Sequence, residues 1–247
     1  MSESLRALCS DFYVNLKLGV KMELPRGRET VLEFFERVRR QFPAMNHFRR
    51  YRDELALESP QTDSPHRWVA ARSTSVRSGT VNPPDLSEAY LLHRLVLEVA
   101  PYYMSISPLD VDFIELLFGF DLMASGNHDA IVHEALLAGS PLGKLAESPL
   151  GVKDCQPSLG FTVGRRGDIE AQFEVKTRTV TAAREGEGNP EPISVYLTLR
   201  KLGSVTDLKE LGSNFDRLAS VGEELAESRV VPTFLVPLRD AIASGRG

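Results

Sequence analysis

Apolar and polar residues alternate along the chain from Phe12 to Met22. This period of two is typical of a β-strand with one buried face. The pattern restarts when the sequence is shifted by 100 residues, because Leu16 then falls on Leu116 and Gly19 on Gly119. The match continues without a gap through the next turn and the start of a helix. The sequence therefore predicts two tandem units with the same order of elements.

The first unit is predicted to contain a strand, a helix, two further strands and a second helix. Apolar residues at helical spacing follow the first strand, and Pro43 closes that helix. Two strands are expected near 47–58 and 67–81. Asp85 provides an N-cap for the second helix, which is expected to stop at Pro101.

The second unit repeats this order with small differences. Asn127 provides an N-cap for its first helix. Strands are expected near 157–164, 169–180 and 193–202, with a mobile hairpin loop over 182–192. A last helix is predicted for about 206–227, and Pro232 and Pro237 are expected to break the tail that follows it.

These patterns indicate an α+β protein whose halves, 1–104 and 105–247, form one compact unit. Each half has to bury the apolar faces of its strands and helices against another layer. We therefore expect a mostly antiparallel sheet with helices packed on one face. A ligand groove is expected between the halves, where clefts commonly form.

This order of strand, helix, strands and helix, repeated once and closed by a long helix, resembles a group of sporadically distributed bacterial proteins. They have a similar length and an unknown function. The resemblance covers nearly the whole chain as architecture, so it implies the fold and a bacterial source but no functional residue. The chain departs from the group at its first strand, which has Asp11-Phe12-Tyr13 in place of a leading proline.

Charge and cysteine content indicate the class of protein. The net charge of −5 argues against a generally cationic surface but allows a local basic site. Cys9 and Cys155 have no partner at ligand spacing, which is typical of reduced thiols in a cytoplasmic protein. Neither a secretory signal nor an apolar run long enough to span a membrane occurs, so no membrane association is expected.

No local motif indicates a cofactor, a metal ion or catalysis. The glycine-containing segments lack the Lys-Ser/Thr ending of a phosphate loop, and no Gly-x-Ser-x-Gly elbow occurs. His128 and His133 are five residues apart, which places them on different faces of a helix. We therefore expect neither a cofactor nor a metal site. Whether the protein is an enzyme stays open, although the sequence favours a protein without catalytic activity.

The strongest local feature is a basic segment from Arg37 to Arg52, which has six arginines and no acid. Arginine suits a bidentate grip on phosphate or carboxylate, and the interleaved aromatic residues suit base stacking. Acids on both sides of the segment offer the alternative of a paired surface. Arg72 shares strand parity with Trp68, so it is expected on the more buried face beside a carboxylate or an anion. The candidate binding residues are Arg37, Arg40, Arg50, Tyr51, Arg52 and Arg72.

Three functions are compatible with these patterns. The leading one is a non-catalytic binding or interaction module with a protein partner or a small anionic ligand, and with homo-oligomerisation allowed. The second is binding of nucleic acid or a phosphate ligand by the 37–52 segment. The third is an enzyme whose site lies between the halves, since sites assembled from distant residues leave no local motif.

Overall fold

The computed structural model describes residues 7–25, 27–146, 151–164, 167–178 and 191–244. These residues form an α+β fold around one nine-stranded antiparallel sheet. The strands are β1 (Asp11–Val20), β2 (His47–Arg50), β3 (Leu55–Glu58), β4 (His66–Ala71), β5 (Ser75–Val81), β6 (Val111–Ala124), β7 (Ser158–Val163), β8 (Ile169–Lys176) and β9 (Glu191–Leu202). The helices are α1 (Arg28–Gln41), α2 (Leu86–Tyr103), α3 (His128–Leu136), a 3₁₀ turn (Gly143–Ala146), α4 (Glu210–Leu225), a π-helix (Ala226–Leu235) and α5 (Val236–Ala243).

The two long strands predicted from the 100-residue shift lie side by side in the sheet. The strand order is β2-β3-β4-β5-β1-β6-β9-β8-β7. β1 and β6 pair along their length, and Leu16 stands opposite Leu116 near the middle of that ladder. β5 continues the sheet on the side of β1, and β9 continues it on the side of β6. The β1–β6 ladder therefore joins the first part of the chain to the second.

The two faces of the sheet differ in burial, as the alternation predicts. Phe12, Leu16 and Leu18 are buried on one face, whereas Tyr13 and Lys17 on the other are only half-buried. We call the first the core face and the second the polar face. β8 follows the same rule with buried Ile169, Ala171, Phe173 and Val175. The hydrophobic core lies on the core face, since the strands direct their largest apolar side chains there.

Helices α2 and α4 pack against the core face. Phe118 and Leu199 on that face leave no room for a side chain at Gly222 of α4. Tyr90 of α2 contacts Phe215 of α4 with ring centroids 5.3 Å apart. The Tyr90 hydroxyl donates a 2.9 Å hydrogen bond to the carboxylate of Glu223. The two helices therefore contact each other through Tyr90, Phe215 and Glu223.

On the polar face, aromatic rings lie flat against glycines of the neighbouring strand. Gly119 of β6 stands opposite Tyr13 of β1, and Gly19 of β1 stands opposite Phe113 of β6. A Cβ added at either glycine would overlap the facing ring. Trp68 covers Gly79 in the same way between β4 and β5. Glycine is therefore required at these positions because the ring occupies the space of its missing side chain.

Two of the predicted strands are hairpins. The strand expected near 47–58 is divided into β2 and β3 by a turn in which the Tyr51 N–H donates to the Glu54 carbonyl. The strand expected near 67–81 is divided into β4 and β5 by a turn at 72–74, where the Arg72 N–H donates to Ser75. Both turns are made of polar residues without the glycine or proline that marks most tight turns, so the sequence pattern did not separate the strands.

The prolines do not end the helices where expected. α2 continues through Pro101 to Tyr103, and the segment after α4 stays helical through Pro232 and Pro237 to Ala243. The π-helix there has wider turns, which relieve the clash between a proline ring and the preceding carbonyl. Buried Phe234 and Leu238 hold this tail against the core, so packing outweighs the proline effect. The loop predicted over 182–192 falls almost entirely on residues 179–190, outside the described residues.

Other observations agree with the composition. Cys155 is a free thiol, and burial is the main cause that raises its pKa. In the part of the chain that the structure describes, no helix has both the length and the apolar character needed to cross a membrane.

The reciprocal ring–glycine contacts generate a first prediction. Gly119→Ala forces its Cβ into the Tyr13 ring, which a 3.3 Å hydrogen bond from the Tyr13 hydroxyl to Asp121 holds in place. We expect the free energy of unfolding to fall by about 1–3 kcal/mol, as for other overpacked sites. Urea denaturation measures this loss. Gly139→Ala is the control, because a Cβ at Gly139 meets no atom within 4 Å.

A double-mutant cycle assigns the loss to this contact. Tyr13→Ala removes the ring, so Gly119→Ala should be much less harmful in that background than in the wild type. Equal losses in both backgrounds would contradict the steric explanation.

A second prediction concerns His93 in α2, which is fully buried on the core face. The hydroxyl of Ser78 lies 2.8 Å from its Nδ1 atom. Burial lowers the pKa of His93 from 6.5 to about 3, because a charged imidazolium would lose its hydration. In the unfolded chain the ring takes up a proton below about pH 6.5, whereas in the folded chain it does so only near pH 3. This contribution to stability is complete above pH 6.5 and is lost as the pH falls towards 3.

We therefore expect the wild type to lose about 2 kcal/mol more stability than His93→Gln between pH 6.5 and 5, at about 1.4 kcal/mol per pH unit. Urea titrations across this range measure the difference. Ser78→Ala is the matched control, since it removes the hydrogen bond but keeps the histidine and therefore the slope. Parallel pH curves for wild type and His93→Gln would refute this assignment.

Candidate functional site

A groove of about 580 Å³ crosses the polar face where β1, β5 and β6 meet. Its wall on the β5 side carries Arg72 and Arg77, and its wall on the β6 side carries Asp112 and Glu115. Lys17 of β1 lies between them. The groove is therefore built from both halves of the sequence, and its charged groups have both signs.

The cations on the β5 side outnumber their carboxylate partners. Glu54 accepts a 2.7 Å hydrogen bond from Nε of Arg72 and a 3.5 Å one from Nη1 of Arg77. Two guanidinium groups thus share one carboxylate. Burial lowers the pKa of Arg77, and Glu54 opposes that shift. Such a pair of arginines retains unused donors for a further anion.

Phe113 forms the floor of the groove between two more cations. The Lys17 ammonium lies 5.0 Å from the ring centroid, and the Arg200 guanidinium lies 4.8 Å from it. Both distances are typical of cation–π contacts. Arg200 is also paired with Glu115, through a 2.8 Å hydrogen bond from Nε. Lys17 stands opposite Glu115 in the β1–β6 ladder, but its ammonium has no carboxylate within 4.0 Å among the described residues.

A second, shallower depression of about 240 Å³ adjoins the groove at Arg77. The Arg77 guanidinium lies 5.3 Å from the Trp68 ring centroid. Across from it, the Tyr51 hydroxyl donates a 2.8 Å hydrogen bond to Glu58, and this bond raises the pKa of Tyr51. The depression lies on the polar face towards β2 and is lined by aromatic and acidic side chains.

The titratable groups with raised pKa values on this face lie outside the groove lining. Burial raises the pKa of Asp121, although the hydroxyls of Ser194 and Tyr13 donate hydrogen bonds to its carboxylate at 2.7 and 3.3 Å. Burial also raises the pKa of Tyr13. This cluster fixes the Tyr13 ring over Gly119. The cluster has a structural role, and neither Asp121 nor Tyr13 lines the groove.

The predicted arginine segment is spread over α1, β2 and the turn that follows. Arg37 is half-buried and Arg40 exposed on α1, and Arg50 is exposed on β2. Arg52 lies past the end of β2 in the turn, so it does not share a strand face with Arg50. α1 and β2 meet through Phe35 and Phe48, whose ring centroids are 6.0 Å apart.

Most of these arginines lack the partners that a paired surface would need. Arg39 pairs with Glu36 at 2.9 Å. The other arginines of the 37–52 segment have no carboxylate within 4.0 Å in the described ranges. Glu54, one of the acids that flank the segment, pairs with Arg72 and Arg77 instead.

The expected burial of Arg72 is wrong. β4 ends at Ala71, so Arg72 lies in the hairpin turn and its side chain is 47% exposed. The expected carboxylate partner is present in Glu54. An ion pair this exposed contributes about 0–1 kcal/mol, because water screens it. Arg72 is therefore better placed to meet a ligand at the rim of the groove than to support the core.

Sequence reasoning missed the central residues of the groove. Lys17, Phe113 and Glu115 belong to no local sequence motif. Their shared signal is parity: all three lie on the polar side of β1 or β6. This parity identifies a shared site only when the register of the β1–β6 ladder is known.

In the described part of the chain, no three side chains of His, Cys, Asp or Glu lie close enough together to hold a metal ion. No protein-family model matches this sequence, and no curated protein is significantly similar to it.

Proposed function

We propose that the protein is a non-catalytic binding module built from two related halves, 1–104 and 105–247, with its ligand site on the polar face. The strand order supports the duplication. Outward from the centre, the first half contributes β1, β5, β4 and β3, and the second contributes β6, β9, β8 and β7. Each half thus follows the same path, and β2 is an addition to the first. The same path supports kinship with the sporadically distributed bacterial proteins.

The ring–glycine contacts also support the duplication. The 100-residue shift relates Tyr13 to Phe113 and Gly19 to Gly119. Each aromatic residue covers the glycine of the other half. The reciprocal contact is what a two-fold relation between the halves would produce. A chance similarity of amphipathic strands requires neither the shared glycine nor the matching ring.

We infer that the helices cover the core face and leave the polar face for the ligand. The buried apolar parity of β1, β6 and β8 supports this arrangement, together with the contacts of α2 and α4. The low cysteine content, two residues in the whole chain, is compatible with a cytoplasmic, reducing compartment.

The ligand group that best suits the groove is an anion, either a carboxylate or a phosphate. The observation that carries this proposal is that Arg72 and Arg77 share one carboxylate, Glu54, while Lys17 forms no ion pair among the described residues. Asp53, Asp112 and Glu115 also line the groove, so the anion is expected at the wall formed by Arg72 and Arg77. The flat Phe113 floor gives the same site an apolar surface. A small anion and an acidic peptide present the same chemistry, so the experiment must separate them.

Thermal unfolding in the presence of three probes tests the anion site. The probes are inorganic phosphate, citrate and a hexaglutamate peptide. A ligand that binds only the folded state raises the melting temperature in proportion to RT ln(1 + [L]/Kd). We expect citrate or hexaglutamate to raise the wild-type melting temperature and to lose this effect in Lys17→Gln/Arg72→Gln. A shift with citrate alone indicates a small anion, and one with hexaglutamate alone indicates an acidic segment of a protein.

The matched control is Lys209→Gln/Arg239→Gln, which removes the same charge from two exposed positions, one just before α4 and one within α5. It should respond to the probes like the wild type. The absence of a shift with all three probes, or equal shifts in both double variants, would contradict the proposal.

A second candidate function is binding of single-stranded nucleic acid by the 37–52 segment. The specific observation in its favour is that most of its arginines lack carboxylate partners in the described ranges. Phe48 and Tyr51 are 45% and 47% exposed beside them, which suits base stacking. The alternative is that the arginines on β2 protect an edge strand from pairing with other chains.

Salt dependence separates these alternatives. If the segment binds a labelled oligo(dT) strand, its affinity should fall steeply with salt, and Arg49→Gln/Arg50→Gln/Arg52→Gln should flatten the log–log slope by roughly two, at about 0.7 per lost phosphate contact. Fluorescence anisotropy measures the affinity. Arg94→Gln/Arg229→Gln/Arg239→Gln carries the same charge change elsewhere and should keep the wild-type slope. A flat salt dependence of the wild type rules this function out.

A further inference from the structure

The two edges of the sheet have opposite character. β2 forms one edge with the sequence His47-Phe48-Arg49-Arg50, and all four residues are exposed. β7 forms the other edge with Ser158-Leu159-Gly160-Phe161-Thr162-Val163, which has no charge and no proline. Leu159 and Phe161 are 55% and 51% exposed. Among the described residues, β7 pairs only with β8.

An edge strand presents unpaired N–H and C=O groups to any strand that can reach it. Proteins usually protect such an edge with arginine, lysine, proline or a bulge. β2 has this protection in Arg49 and Arg50, whereas β7 has none of it within its six residues. β7 is therefore the edge at which pairing is physically favourable.

We propose that β7 pairs antiparallel with β7 of a second copy of this chain, with Gly160 on the two-fold axis. In this register Leu159 stands opposite the partner's Phe161, and Ser158 stands opposite the partner's Thr162. Apolar residues thus meet apolar residues on one face, and hydroxyls meet hydroxyls on the other, which are favourable cross-strand pairs. No charged residue of one strand faces a charge of the other, so the pairing has no electrostatic penalty.

The helix side of β7 gives this pairing its apolar contact. Phe161 contacts Phe173 with ring centroids 5.8 Å apart, and Phe173 stacks on Phe234 at 6.0 Å. Phe173 and Phe234 are buried, so Phe161 is the half-exposed end of an aromatic row that begins in the core. Antiparallel pairing about an axis normal to the sheet puts the same face of both copies on the same side. The two rows then join, and the core becomes continuous across the axis.

The polar side would be completed by the same pairing. A groove of about 350 Å³ lies there beside β7, lined by residues that include Gly160, Glu170, Gln172 and Arg200. The partner's β7 would supply its missing outer wall.

A second copy fits this edge better than the other strands available. Pairing of β7 with β2 of another molecule would be heterologous, and such contacts form open filaments unless the rotation closes. Pairing of β2 with β2 brings arginines together. Pairing of β7 with itself closes after two copies and leaves the cationic edges at the outside.

Size-exclusion chromatography with light scattering provides the first test. We expect a particle of twice the 27.4 kDa chain mass, with the dimer lost in Phe161→Lys. The exposed position of Phe161 allows the lysine without unfolding, which circular dichroism checks. Leu91→Lys is the matched control, because Leu91 is 53% exposed on α2 and far from β7 in the fold. It should remain dimeric.

Register-specific crosslinking provides the second test, in a Cys9→Ser/Cys155→Ala background. Gly160→Cys places two thiols opposite each other at a Cα separation of about 4.5–5.5 Å, which suits a disulfide. A side chain is tolerated there, since no atom lies within 4 Å of a Cβ at Gly160. In the same dimer the two copies of Ser158→Cys are four residues apart along the strands, about 14 Å, and cannot bridge.

Oxidation should therefore crosslink Gly160→Cys and leave Ser158→Cys monomeric on a non-reducing gel. A wild-type monomer up to high micromolar concentration would overturn the proposal and leave β7 available to a strand of another protein. A dimer that survives Phe161→Lys, or one that crosslinks equally through Ser158→Cys, would overturn it by placing the interface or the register elsewhere. None of these outcomes depends on the anion site.

Discussion

The fold depends on the ladder between β1 and β6, and that ladder depends on two reciprocal contacts of a ring with a glycine. Tyr13 lies over Gly119 and Phe113 lies over Gly19. In each pair the glycine has no side chain to displace the ring from the sheet. The ring in turn covers the backbone of the glycine. Apolar pairs such as Leu16 and Leu116 fill the core face of the same ladder. The two halves are thus joined by packing on both faces.

The same contacts shape the polar face. Because the rings lie flat, long charged side chains pass over them and the groove keeps a flat floor at Phe113. Lys17 and Arg200 approach that ring from different strands, and each retains contact with water. Cation–π contacts with aromatic rings therefore position the charged side chains of the polar face as much as ion pairs do. On the core face a polar contact joins β5 to α2, where the Ser78 hydroxyl lies 2.8 Å from Nδ1 of His93.

The sequence alone predicted the elements whose pattern is local and periodic. The alternation located β1 and β8, and the 100-residue shift located β6, because a strand with one buried face repeats every two residues. The hairpin turns at 51–54 and 72–74 were missed because their polar residues resemble the exposed parity of a strand. The helical tail was missed because packing of Phe234 and Leu238 against the core outweighs two prolines. For the groove, the arginine-rich segment drew attention through its density, whereas Lys17, Phe113 and Arg77 come together only through strand register.

The two ends of the sheet show how one scaffold can serve different contacts. The first half extends its sheet by β2, a strand rich in arginine, and so ends in a cationic edge. The second half ends at β7, which is neutral and continues the aromatic row of the core to the surface. Electrostatic repulsion opposes assembly at the first edge, and apolar contact favours it at the second. The groove lies between them at β1, β5 and β6, so a dimer formed at β7 would leave both grooves and both cationic edges accessible.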